Sequence, residues 1–139
     1  MPSIQTLKTL RIQSSALKRT HKELSSYKKE LKVEQERLEK MKKDEEIEKQ
    51  RVKQQKEVVE ECRVMIPNTK QRMDKSVDVV RSLLQSVEAE IRNENAENQD
   101  EALENVKEFV EAKETFNSVL KEFPEYDEEL DRKDRPNVD

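Results

Sequence analysis

The chain of 139 residues contains no glycine, and this absence limits the folds that are open to it. Tight hairpin turns, phosphate-binding loops and nucleophile elbows need glycine where φ is positive or where the backbone must approach a ligand closely. Dinucleotide-binding and P-loop fingerprints are therefore excluded in their usual form, and we predict no nucleotide site. The remaining pattern is that of a helix-only protein.

The composition favours helices that each bury one narrow apolar stripe. Charged residues make up 43% of the chain and apolar residues 32%, which excludes a thick globular core. Disorder is the competing interpretation of so polar a chain, but regular apolar spacing argues against it for most of the length. A single cysteine excludes an intramolecular disulfide and suits a reducing cytosol. The sequence shows no signal peptide and no apolar run of about 18 residues, so we expect no membrane span.

Apolar spacing predicts three helices, at about residues 4–43, 46–92 and 101–122. In the first helix leucine recurs every seven residues, but the column three residues later is half polar, which argues against a simple two-stranded zipper. In the third helix all phenylalanines of the chain share one stripe that also includes Ala102. Short turns favour antiparallel neighbours. The leucines are Leu10, Leu17, Leu24, Leu31 and Leu38, and the phenylalanines are Phe109, Phe116 and Phe123.

The two predicted turns contain candidate capping residues. Asp44 is a candidate N-cap for the second helix. Asn98 with Glu101 three residues later matches a capping box before the third helix, although Asp100 is an equally good cap.

Pro67 lies in the middle of the predicted second helix, and the apolar stripe continues on both sides of it. A proline inside a helix removes a backbone hydrogen bond and clashes with the carbonyl four residues earlier, at a cost of about 3 kcal/mol. A phase shift in the stripe falls nearby, between Met73 and Val77. Together they predict a bend within one helix. Two interpretations of the bend stay open: a device that shapes a partner surface, or a tolerated kink on a solvated face.

These patterns predict an all-α fold, an elongated, coiled-coil-like antiparallel three-helix bundle whose central helix is bent at Pro67. The bundle would occupy residues 1–123 as one domain. The acidic segment 124–139, which contains Pro136, is expected to be a disordered tail.

Charge is distributed unevenly along the chain. Residues 1–43 have a net charge of +7, residues 44–93 of −1 and residues 94–139 of −10. Two explanations stay open: electrostatic complementarity within a bundle, or a basic face on the first helix that binds an acidic protein. Nucleic acid is a poor partner because acidic residues interleave with the basic ones and no aromatic platform is present. A membrane is a poor partner because the leucine stripe carries neither Trp nor Phe.

One pattern of residues runs through all three predicted helices. It consists of Lys18, Arg19, Lys22, Glu23, Tyr27, Lys29, Glu30, Lys32, Glu36, Glu39, Lys40 and Met41 in the first, Glu61, Arg63, Met65, Ile66, Pro67 and Arg72 in the second, and Glu111, Ala112, Ser118 and Val119 in the third. This pattern resembles the tubulin-binding cofactor A family over roughly residues 8–120. Its most specific part is the Met-Ile-Pro string that ends at Pro67.

The resemblance implies a three-helix bundle with a proline-bent central helix. It also implies the capture of quasi-native β-tubulin after release from the cytosolic chaperonin, without enzymatic activity or nucleotide use. We therefore expect a monomeric, cytoplasmic, cytoskeleton-associated chaperone whose partner is β-tubulin, with other tubulin-folding cofactors as further candidate partners. The acidic extension after Pro124 departs from the family pattern, so the resemblance implies nothing about it.

The residues themselves offer no catalytic group, no metal ligands and no cofactor site. Cys62 lies on the apolar stripe, and free cysteine commonly packs as a small hydrophobe. No histidine lies near it in sequence, and the single histidine, His21, forms neither a metal site nor a triad on its own. We expect a non-enzyme that needs no cofactor.

Two groups of surface residues are the candidates for partner binding: basic residues of the first helix and residues that flank the predicted bend. They are Lys18, Arg19, Lys22, Lys29, Arg63, Pro67, Asn68, Lys70 and Arg72. The alternative function is that of a structural or adaptor coiled-coil protein that self-associates through its stripes. The polar column of the first helix counts against this alternative.

Overall fold

The computed structural model describes residues 1–95 and 97–127, which form α-helices joined by short connections. Helix α1 spans Ile4–Lys43, α2 spans Lys49–Glu94, α3 spans Gln99–Glu104 and α4 spans Lys107–Glu122, followed by a 3₁₀ helix at Pro124–Tyr126. No β-strand occurs in these residues, and the predicted all-α class is confirmed. No helix in the same ranges is both long and apolar enough to cross a membrane.

The lack of glycine is reflected in the backbone torsion angles. No residue in the described ranges has a positive φ, so none of these helices ends on the left-handed residue that glycine commonly provides. The α1–α2 connection instead uses an aspartate. The Asp44 carboxylate accepts a hydrogen bond from the backbone N–H of Glu46 at 3.0 Å. Asp44 therefore stabilises the turn and does not cap α2, which begins at Lys49 rather than at residue 46.

The third predicted helix is two helices, and the expectation of one continuous helix over 101–122 is wrong. The chain leaves helical geometry at Val106, where φ is −95° and ψ is 98°. Asn98 precedes α3, but its side chain makes no capping hydrogen bond, so the predicted capping box does not form.

The break corrects the phase of the apolar stripe. From Phe109 to Phe123 the buried positions follow steps of three and four, but Leu103 and Val106 precede Phe109 by steps of three only. Each such step rotates a side chain by about −60° around a regular helix, so a continuous helix would turn Leu103 away from the core. The break lets Leu103 be buried, whereas Ala102, which the seven-residue repeat predicts, is only half-buried.

The chain divides into two compact units. The terminal unit comprises Met1–Lys18 and Lys75–Asp139, and the hairpin unit comprises Arg19–Asp74. Helices α1 and α2 each contribute a segment to both units. The bend at Pro67 and the assignment of one bundle to residues 1–123 stay predictions. Of the predicted disordered tail, Pro124–Tyr126 form the 3₁₀ helix, and residues 128–139 lie outside the described residues.

The core of the terminal unit is formed by apolar side chains from four helices. Its three phenylalanines are each at most 7% exposed, as their common stripe predicts. Leu103 and Val119 are also buried, although the repeat omitted them. The buried apolar residues of this unit are Leu10, Leu17, Val77, Val80, Leu84, Val87, Ile91, Leu103, Val106, Phe109, Ala112, Phe116, Val119 and Phe123.

Arg81 connects this core to the residues that follow α4. Its guanidinium lies over the ring of Phe116, 5.6 Å from the centroid. It also donates a hydrogen bond to the backbone carbonyl of Tyr126 and pairs with Asp78 at 3.4 Å. The rings of Phe123 and Tyr126 lie 6.0 Å apart. These contacts hold the 3₁₀ helix against the core of the terminal unit.

The hairpin unit consists of two antiparallel helical segments. The Gln55 side-chain amide of α2 donates to the backbone carbonyl of Glu34 at 2.9 Å and to its carboxylate at 2.7 Å. Toward the other end of the hairpin Arg72 pairs with Glu23 at 3.3 Å. Later residues of α2 thus contact earlier residues of α1, which fixes the antiparallel direction. The buried residues of this unit are Leu24, Leu38, Gln55, Val59, Thr69 and Met73.

We expect Gln55→Ala to lower the free energy of unfolding by about 1–3 kcal/mol, because it removes two hydrogen bonds that join α2 to Glu34 of α1 at a buried position, one of them to a carboxylate. Gln55 is only 8% exposed. Urea denaturation followed by circular dichroism measures the change. The control is Gln54→Ala, an exposed neighbour, which should change stability by less than about 0.5 kcal/mol. Equal effects of the two substitutions would contradict this role of Gln55.

Candidate partner-binding surfaces

The structure places the basic candidates of the first helix on the exposed side of α1. Lys22 and Lys29 each precede a leucine of the apolar stripe by two residues, which is about 200° around the helix. Within the described residues, the side chains of Lys18, Arg19, Lys22 and Lys29 are exposed and make no hydrogen bond or ion pair. Lys18 belongs to the terminal unit and the other three belong to the hairpin unit. These cations are therefore accessible to a partner without breaking any existing pair.

The basic candidates of the second helix already have partners within the hairpin unit. Arg63 lies 3.7 Å from Glu60, and Lys70 lies 3.3 Å from Asp74. Arg72, besides its pair with Glu23, donates to the Thr69 hydroxyl at 3.2 Å. Thr69 is fully buried, so Arg72 helps to satisfy a core hydroxyl. Arg72 thus has a structural role that its position in the sequence did not indicate.

Pro67 lies inside α2 on its exposed face, and the helix is continuous through it. Proline has no N–H to donate to the carbonyl four residues earlier, which is that of Arg63. Arg63 is exposed as well. Asn68 is exposed beside Pro67. The two residues form an accessible surface one helical turn after Arg63.

A groove with acidic walls lies between the two helices of the hairpin unit, and sequence reasoning missed it. We call it the glutamate groove; its volume is about 770 Å³. One wall of the groove could have been found from the sequence. Residues spaced by three and four share one face of α2, and these are Glu57, Glu60, Glu61 and Val64. The opposite wall of the groove belongs to α1, so the sequence of α2 alone does not reveal it. Its lining residues are Tyr27 and Glu30 of α1 and Glu57, Glu60, Glu61, Cys62, Val64 and Met65 of α2.

The negative charge of this groove affects Cys62, which is half-buried and lines the groove. The pKa of its thiol is raised, first by partial burial and then by the negative charges of Glu30, Glu34 and Glu61. An ordinary cysteine is already mostly protonated at neutral pH, and the raised pKa of Cys62 lowers its thiolate fraction further. Since the thiolate is the nucleophilic form of cysteine, Cys62 is poorly suited to nucleophilic chemistry.

No group of three or more His, Cys, Asp or Glu residues suited to hold a metal ion occurs in residues 1–95 and 97–127. The surfaces described above carry charged and apolar groups on helices. Such an arrangement suits the binding of another macromolecule.

Comparison with known proteins gives one family and one solved structure. The sequence model of the family described as tubulin binding cofactor A matches residues 5–116. The solved structure of human tubulin chaperone cofactor A is similar with a TM-score of 0.61 and 26% sequence identity, over 82% of this chain and 97% of that chain. No match was found among curated proteins. The family match includes most of the described residues, and the chain therefore belongs to the tubulin binding cofactor A family.

Proposed function

We propose that this protein captures β-tubulin folding intermediates after their release from the cytosolic chaperonin and holds them until a later tubulin-folding cofactor competes for them. The observation that carries the proposal is the family match over residues 5–116, which includes segments of both units. The similarity to a solved tubulin chaperone supports it, since it extends over 97% of that chain. The protein would act in the cytoplasm as a monomer, without catalysis and without a cofactor.

The proposed mechanism is sequestration by helix surfaces. A folding intermediate exposes surface that its mature form buries, and a rigid helical face can cover such surface without chemical change. The unpaired cations of α1 would attract an acidic region of the partner. Charges of this kind raise the association rate more than the final affinity. Release would follow when another factor competes for the same surface.

Charge reversal on α1 tests this mechanism. We expect the triple variant Arg19→Glu, Lys22→Glu, Lys29→Glu to associate with β-tubulin at least about tenfold more slowly than the wild type at low salt. The difference should shrink as ionic strength rises, because salt screens exposed charges. Surface plasmon resonance with chaperonin-released β-tubulin measures the association rate.

The matched control is Lys49→Glu, Lys53→Glu, Lys56→Glu, which changes the net charge equally at exposed positions of α2 in the same unit. It should retain most of the wild-type association rate. Equal slowing by both triple variants would show that only net charge matters, and an unchanged rate in the α1 variant would remove this face from the binding site.

Light scattering after gel filtration tests whether the protein is a monomer in solution. A monomeric mass supports a chaperone that binds its partner in a one-to-one complex. A dimeric mass would instead favour the alternative of a coiled-coil protein that self-associates.

A further inference from the structure

We propose that the glutamate groove of the hairpin unit binds a basic amphipathic helix of a partner protein. The chemistry of the groove carries this proposal, which does not depend on the partner's being β-tubulin. The groove is also separate in character from the basic face of α1, since the two surfaces carry opposite charges.

The first argument is uncompensated negative charge. Four of the eight lining residues are glutamates and none is cationic. Glu57 and Glu61 lie one turn apart on α2, a like-charge spacing that destabilises a helix. Among the described residues, the carboxylates of Glu30, Glu57 and Glu61 make no ion pair and no hydrogen bond. The groove thus holds a repulsive arrangement that cations from a partner would relieve.

The negative charge of the fourth glutamate, Glu60, is only weakly compensated by its cationic partner. Glu60 pairs only with Arg63 in the described part of the chain, at 3.7 Å, and their side chains are 64% and 59% exposed. A pair so exposed is weak and exchanges readily with another cation. The raised pKa of the Cys62 thiol reflects the same negative potential, after the larger effect of partial burial.

The second argument is an apolar floor within this acidic rim. Tyr27, Cys62 and Met65 are half-buried, and Val64 is 49% exposed. A contiguous apolar surface with a polar rim is the pattern found at protein-interaction sites and binding grooves. The flexible thioether of Met65 can adapt to the shape of an inserted side chain. The occupant must therefore offer apolar groups as well as cations.

The third argument is shape. The α2 wall runs from Glu57 to Met65, which is about 12 Å or just over two helical turns. A helix that lies in such a groove presents anchors at i, i+3, i+4 and i+7, and its flanking positions face the rim. Apolar anchors flanked by Lys or Arg match a floor of Tyr27, Val64 and Met65 between carboxylates. Nucleic acid and acidic peptides are excluded because they carry the same charge as the rim.

A second copy of this chain fits the groove less well. Its unpaired cations, such as Lys22 and Lys29, lie on the side of α1 opposite the leucine stripe. Leucines of the same helix such as Leu24 are buried, and the exposed apolar residue beside Lys29 is Val33, one turn later, so a second copy offers a single valine where the groove takes several apolar anchors. A basic helix from another protein can carry both features on adjoining faces.

Fluorescence anisotropy with the full chain tests the proposal. The probe is a labelled synthetic peptide of about five helical turns with leucines at i, i+3, i+4 and i+7 and lysines flanking them. We expect saturable binding that weakens about tenfold in the variant Glu57→Gln, Glu61→Gln. Val64→Ser, which removes an apolar contact at an exposed site, should weaken binding as well.

Three controls make the outcome decisive. The variant Glu36→Gln, Glu45→Gln changes the net charge equally at exposed positions away from the groove, and it should bind as the wild type does. A peptide with glutamate in place of lysine and a scrambled peptide of the original composition should bind at least about tenfold more weakly. Equal binding of the scrambled peptide, or equal weakening in both double glutamine variants, would overturn the proposal.

Analytical sedimentation of the chain without peptide tests whether a second copy of the chain occupies the groove. A monomer across the concentration range supports a site that is open to a partner. A dimer that Glu57→Gln, Glu61→Gln dissociates would show that a second copy occupies the groove, and it would overturn the proposal.

Discussion

Replacing Phe116 by alanine should lower the free energy of unfolding by about 3–5 kcal/mol, which is a large part of the stability of a small domain. The Phe116 side chain is only 6% exposed in the core of the terminal unit. Its removal leaves a cavity and takes away the ring that lies under the Arg81 guanidinium at 5.6 Å. Urea denaturation followed by circular dichroism measures the change.

The effect of Phe116→Ala should extend to the residues after α4. Arg81 bridges Phe116 and the backbone carbonyl of Tyr126, so loss of the ring frees the guanidinium that holds the 3₁₀ helix. We therefore expect faster hydrogen exchange at Tyr126 and Asp127. Asn117→Ala, at the exposed neighbouring position, is the control and should change stability by less than about 0.5 kcal/mol. A loss below about 1 kcal/mol for Phe116→Ala would contradict the assignment of this residue to a well-packed core.

Replacing Pro67 by alanine should raise the free energy of unfolding by about 2 kcal/mol. The substitution restores the backbone hydrogen bond to the Arg63 carbonyl and relieves the clash, a gain of about 3 kcal/mol. About 1 kcal/mol is lost because alanine gives the unfolded chain more freedom than proline. The exposed position of Pro67 means that no core packing is lost. Urea denaturation of both proteins measures the gain.

The same substitution tests what the proline does for function. If the predicted bend shapes the partner surface, Pro67→Ala should weaken β-tubulin binding while it stabilises the helix. Asn68→Ala is the matched control at the next exposed position, where no such gain in stability is expected. A gain in stability with unchanged affinity would reduce Pro67 to a tolerated kink. A loss of stability would contradict the hydrogen-bond argument itself.

The candidate sites show where sequence reasoning was sufficient. The exposed cations Lys22 and Lys29 follow from their position two residues before a leucine of the stripe, since one helix alone fixes that angle. The structural role of Arg72 did not follow, because its partners Glu23 and Thr69 depend on how α1 and α2 are aligned. The glutamate groove was missed for the same reason, because Tyr27 and Glu30 come from a different helix than the rest of its wall.

The sequence by itself determined the helical class, most of the buried stripe and the continuity of α2 through Pro67. These features depend on local periodicity and on residue types, and a regular helix converts spacing directly into faces. Only the tertiary structure decided the break at Val106, which occurs because Leu103 must turn toward a core formed by other helices. It also decided which glutamates of α2 face Glu30 across the hairpin, because the alignment of two helices is set by packing between them and not by either helix alone.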